Sequence, residues 1–130
     1  MELKKMSDQE LAQRMVNHID RLVALHQNIS DYLNKKDFSI ENRTVIQTEY
    51  CALKEELSAD AKYVSGTKNA CGSPLYEGFF IPSIQESIAK GFQAPKNSAV
   101  NSKMSSSVYD AKFYMTYYHN RDAWNKIANS

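Results

Sequence analysis

The feature that most constrains this chain is a seam of residues spaced alternately four and three apart: Leu11, Met15, His18, Leu22, Leu25, Ile29 and Tyr32. That rhythm keeps successive side chains on one side of a helix, whereas a strand would need an alternation of two. The start of the helix is chemically marked. In Ser7-Asp8-Gln9-Glu10 the Ser7 hydroxyl can accept from the Glu10 backbone N–H, and the Glu10 carboxylate can reach back to the Ser7 N–H. Met6 and Leu11 are placed to form a hydrophobic staple across this cap, and Asp8 and Glu10 complement the positive end of the helix dipole. The spacing predicts a helix over residues 8–33.

Beside the seam runs a second stripe, Val16, Ile19, Val23 and Leu33. Two stripes are more than one neighbouring helix covers, so this helix is expected to be central. The same surplus motivates an expectation of self-association through Met15, Ile19, Leu22 and Val23, because a small monomer must cover such a surface or expose it as a patch.

A second helix is predicted over residues 40–64. Ser39 caps it, Glu41 lies in its first turn, and Ile46, Tyr50, Leu53, Leu57, Ala61 and Val64 mark one face. Gly66 suits the left-handed cap that commonly ends a helix. A linker of about five residues, Asn34 to Phe38, implies that the two helices pack antiparallel.

Beyond residue 66 the pattern weakens. Lys68 to Pro74 reads as a loop from its Gly, Pro, Asn and Ser content. Tyr76 to Ile81 reads as a short strand or an apolar anchor. A short helix follows from Pro82, with Ser83 and Glu86 as a second capping box and Gly91 as its end. Residues 93–107 are polar and Ser/Asn-rich and read as a long exposed loop. In residues 108–118, Phe113, Met115 and Tyr117 alternate with polar or aromatic neighbours, which favours a strand. Tyr109, Phe113 and Tyr117 are also four apart, which suits a helix. Asp122 caps a final short helix bearing Trp124 and Ile127. The expected fold is mainly α, with α+β as the alternative. It is a single domain over 1–130: an N-terminal antiparallel helical hairpin (1–66), then a smaller mixed part (67–130) of short helices and, on the strand reading, a two-stranded β element.

The same residues narrow the function. Sixteen Lys/Arg against fifteen Asp/Glu leave a net charge of +1, with the balance at −2 over residues 1–66 and +3 over residues 67–130. That asymmetry is well short of a dedicated nucleic-acid binder. Cys51 and Cys71 lie outside any CxxC spacing, and His18, His26 and His119 are dispersed, so neither a metal nor a cofactor is expected. The four glycines are too scattered for a phosphate loop, and no GxSxG marks a nucleophile. His18, on the apolar seam, reads as a core or interface histidine. No apolar segment resembles a signal peptide or membrane span, and the chain reads as cytoplasmic.

The one dense group of reactive side chains is Tyr114, Tyr117, Tyr118, His119 and Arg121. Tyrosine and arginine are enriched where proteins bind one another, and aromatics beside cations also serve base stacking. The expectation is a small non-enzymatic interaction module, an adaptor or inhibitor of a larger protein, self-associating, with this segment at its binding surface. The alternatives are a binder of nucleic acid or a nucleotide-like ligand through residues 114–121 and, third, a small enzyme with a dispersed site.

Overall fold

The computed structural model describes residues 6–36, 39–64, 66–68, 72–94 and 97–130. In chain order it contains α1 (Asp8–Lys35), α2 (Ile40–Tyr63), a 3₁₀ turn (Glu77–Phe80), α3 (Pro82–Gln93), α4 (Ser98–Phe113), a π turn (Tyr114–Tyr118) and α5 (Arg121–Ala128). The protein is mainly α. Among the described residues extended pairing is limited to an isolated antiparallel bridge between Lys68 and Pro74.

The Ser7 hydroxyl accepts from the Glu10 N–H at 3.2 Å, and α1 stops where Lys36 enters the left-handed region. Along its length α1 packs against α2, α4 and α5. Contacts with α2 pair rising numbers on one helix with falling numbers on the other: Arg14 with Asp60, Arg21 with Glu56, and Asn28 with Glu49. On the opposite flank Arg121 reaches Asp20, and the Gln9 amide donates to the carbonyls of Ala128 and Ser130. The two stripes of α1 are therefore covered from within the chain. Met15, Ile19 and Leu22 are core residues and Val23 is half-buried, which corrects the expectation that these four form a face for a second copy. The apolar surplus is taken up by α4 and α5.

The C-terminal half differs from its expected outline in several places. Of the expected loop over 93–107, Gln93 ends α3 and residues 98–107 belong to α4, with the Asn97 side chain accepting from the Val100 N–H at 3.1 Å. Serines favour helix interiors poorly, but Met104, Val108, Ala111 and Met115 descend into the core at helical spacing, and that burial outweighs local preference. The same residues explain why 108–118 is helical and not a strand. Tyr76, at φ +64°, turns the chain into the 3₁₀ turn in place of a strand over 76–81.

Gly91 does not end α3. It lies inside that helix, where a Cβ would stand 2.7 Å from the Cβ of Met104, so the missing side chain lets α3 and α4 cross closely. The expected Ser83/Glu86 box is not used: Ile81 holds the N-cap position without a side-chain hydrogen bond, and Pro82 opens the helix. Asn120, not Asp122, caps α5, accepting from the Ala123 N–H at 3.3 Å. Gly66 has φ +86° just past the end of α2. Phe38 and Asp37 of the linker, and Cys71, lie outside the described residues.

Candidate functional site

Two clusters stand apart from ordinary packing, one inside the molecule and one on its surface. The inner cluster gathers where α1, α2 and the approach to the 3₁₀ turn meet. Asp60 continues the apolar face of α2 one turn beyond Leu57, so its carboxylate enters the core, where it is 3% exposed. The Arg14 guanidinium grips it with two nitrogens, the Nε at 2.9 Å from Oδ2. This charge-assisted pair holds the Arg14 pKa above its ordinary value. Tyr76, wholly buried, brings its hydroxyl to 3.5 Å from Asp60 Oδ2, and His18 Nδ1 lies 3.3 Å from the same hydroxyl.

One proton arrangement serves every member: His18 Nδ1–H donates to the tyrosine oxygen, and the tyrosine O–H donates to Asp60. Burial raises the Tyr76 pKa, with the nearby carboxylate acting in the same sense. Burial lowers the His18 pKa, and the Arg14 and Arg21 charges add to that, while Asp60 and Glu56 pull the other way. The seam position of His18 is thus a hydrogen-bonded core histidine. A carboxylate, imidazole and phenol in series resemble catalytic machinery, but here all three are buried, with Asp60 3%, His18 2% and Tyr76 0% exposed. Only Arg14 is substantially exposed. The cluster joins three segments of the fold.

The outer cluster is a row of aromatic rings on α4 and the π turn. Tyr109, Phe113 and Tyr117 are 52%, 42% and 69% exposed. Successive rings lie nearly parallel: Tyr109 and Phe113 at 6.4 Å between centroids and 16°, Phe113 and Tyr117 at 5.3 Å and 7°. The Lys112 ammonium sits 5.8 Å from the centre of the Tyr109 ring, and His26 of α1 meets that ring edge-on. Burial, and then the Lys112 charge, lower the His26 pKa. Rings stacked in this way use their faces on one another and turn their edges to solvent. Tyr117, at the end of the row, is the most exposed.

The segment singled out from the sequence is not one surface. Tyr117 joins the aromatic row. Tyr114 is partly exposed and packs over Gly78, where an added Cβ would approach the Tyr114 Cγ to 2.9 Å. The Tyr118 side chain lies outside the described residues. His119 is 2% exposed and points inward, and burial brings its pKa down to about 4. Arg121 forks onto both oxygens of Asp20, at 2.8 and 3.0 Å, and fastens α5 to α1. The π turn runs through these residues: its His119 N–H reaches back five residues to the Tyr114 carbonyl.

Sequence reasoning missed Tyr109, Phe113 and Lys112 as surface residues, although the four-residue spacing that unites the rings was visible. It also missed Asp60, whose signal is a carboxylate three positions after Leu57 on an apolar face. Among the described residues no three His, Cys, Asp or Glu gather to hold a metal ion, and no described helix is long and apolar enough to cross a membrane. In comparisons with known proteins the chain matches no family model, no curated protein and no solved structure.

Proposed function

We propose that this protein is a small non-enzymatic interaction module, an adaptor or inhibitor that docks onto another protein through the aromatic row of α4 and the π turn. The observation that carries the reading is the exposure of Tyr109, Phe113 and Tyr117 as one ordered strip on a chain whose other large apolar residues are mostly buried. Aromatic side chains offer large contact area at low entropic cost, and their ordering by mutual stacking is already complete before a partner arrives.

Binding of nucleic acid remains the second reading, favoured by the open ring of Tyr117 and the Lys112 ammonium over Tyr109. Against it, a strand of bases needs several free ring faces, and this row turns most of its faces inward. The test is affinity capture with Phe113→Ala and Tyr117→Ala variants as controls. A protein partner bound through the strip should lose on the order of 2 kcal/mol of affinity with each change, with modest salt dependence. A partner released by nuclease, with a steep salt dependence, would establish the second reading. Undiminished capture by both variants would remove the strip from the binding surface.

A further inference from the structure

Residues 74–81 lead into α3 and bury Leu75, Tyr76 and Phe79. Hydrogen bonds tie this segment down on either side of Tyr76: the Leu75 N–H donates to the Thr67 carbonyl at 3.2 Å, and the Gln85 amide donates to the Phe79 carbonyl. Between them the tie is the Tyr76 side chain, which reaches Asp60 on α2 and His18 on α1. Tyr76 needs that hold. Its backbone is left-handed, at φ +64°, a conformation that costs a bulky residue free energy and persists only where the surroundings enforce it.

The acceptor for this tie is contested. An oxygen of an ionised carboxylate offers two lone-pair directions. On Asp60 Oδ2 one is used by Arg14 Nε, at 2.9 Å. Two donors compete for the other, the Tyr76 hydroxyl at 3.5 Å and His18 Nδ1 at 3.6 Å. While the imidazole is neutral the phenol takes it, and His18 donates to the phenol in turn. An imidazolium is the stronger donor and carries the charge that suits a carboxylate. It takes Asp60 directly and leaves the buried hydroxyl without its acceptor. Burial disfavours a proton on His18, as do Arg14 and Arg21 on α1, while Asp60 and Glu56 on α2 favour one.

We infer that residues 74–81 are an acid-released strap, in which a proton taken up by His18 transfers Asp60 from the tyrosine hydroxyl to the imidazolium and frees Tyr76 to leave the core. Linkage gives the direction. Closed, the strap buries His18 and holds its pKa below the ordinary value of 6.5; open, it lets water reach the ring and the value recovers. The open form therefore binds the proton more readily, and the strap loosens as the pH falls below about 6.5. Acid should uncover Leu75, Tyr76 and Phe79 in openings that leave α1 and α2 folded. This device goes beyond docking at the aromatic row and does not depend on it.

Native-state hydrogen exchange of the full chain, followed by NMR at about pH 7.5 and about pH 5.5 and corrected for the intrinsic pH dependence of exchange, tests the strap. Ordinary carboxylates stay ionised over that interval, whereas an open-form histidine crosses its titration. The Leu75, Glu77 and Phe79 amides should exchange faster than the middle of α1 and α2 at both values. Acid should speed them about five- to ten-fold, the gain in protonation of a group with the ordinary histidine pKa. The acceleration should survive His119→Gln, which removes the other buried histidine, and vanish in His18→Gln. Tyr76→Phe, which keeps the ring and drops the hydroxyl, should exchange fast already at about pH 7.5 and gain less than about two-fold from acid. At the higher pH, long-range nitrogen NMR should find the His18 ring hydrogen on Nδ1.

Strap amides that exchange no faster than the helix interiors would overturn the inference, since the segment would then open only with the whole molecule. So would an acceleration that persists in His18→Gln, or an undiminished one in Tyr76→Phe. A His18 ring hydrogen on Nε2 would overturn it independently of any variant, because the phenol would then donate to the imidazole and Asp60 would not be the contested acceptor.

Discussion

The buried cluster around Asp60 and the exposed row around Phe113 invert the usual placement of side chains in opposite ways. One puts a carboxylate, an imidazole and a phenol in the core, and the other puts three aromatic rings in water. Their costs differ accordingly. A buried carboxylate must be matched by hydrogen bonds and charge or it destabilises the fold by several kcal/mol, so each member of the inner cluster is bound to the others. Exposed rings forgo burial but impose no such requirement, since they carry no buried charge to be matched. What the difference teaches is where each cluster has its effect. The inner one should govern stability and leave recognition alone; the outer one should do the reverse.

The most forceful way to break that division is Asp60→Ala. It strands the Tyr76 hydroxyl and His18 in the core and frees Arg14 to water, and it should cost about 3–5 kcal/mol in urea denaturation. A cost below about 1 kcal/mol would mean that the cluster is not integral to the fold.

Acid titration sharpens the same side of the comparison. His119 and His18 both take up a proton less readily in the folded chain than in the unfolded one, His119 with a folded value of about 4. Stability should therefore be whole above about pH 6.5 and decline as the pH falls toward 4. For His119 alone the loss approaches about 3 kcal/mol, since each unit of difference corresponds to 1.36 kcal/mol. His119→Gln should flatten that limb of the profile, which denaturation midpoints at several pH values would record.

Ser7→Ala removes the hydroxyl that caps α1 and should cost about 1 kcal/mol, a reference for an ordinary local contact. The smallest effect is expected of Tyr117→Ala, at a residue 69% exposed. Thermal unfolding should place it within about 0.5 kcal/mol of the parent chain, as for most surface substitutions. A larger loss would make the row a structural element and erase the contrast with the inner cluster.

The two clusters also differ in how far they could be read from the residues. The rings of the outer row lie within one segment, and their four-residue spacing was on display. It was obscured by the competing alternation of Phe113, Met115 and Tyr117, because short aromatic stretches satisfy both periods. The inner cluster joins residues 14, 18, 60 and 76, and no local pattern announces that Asp60 will find Arg14. The first two helices were legible because cap, seam and linker all agreed. Helix α4 was not, because its serines pointed to a loop while its burial partners lay on α1 and α3.

The ends of the described chain have a mechanical consequence. Gln9 holds the carbonyls of Ala128 and Ser130, and farther along Asp20 holds Arg121, so α1 and α5 lie side by side with their free ends together. A force that draws residue 6 away from residue 130 meets these contacts one after another, as a zipper does. It would not have to shear both helices along their whole length at once. The chain should therefore yield to such a pull at a much lower force than to one applied between residue 6 and residue 35, which loads α1 along its axis against all of its neighbours together.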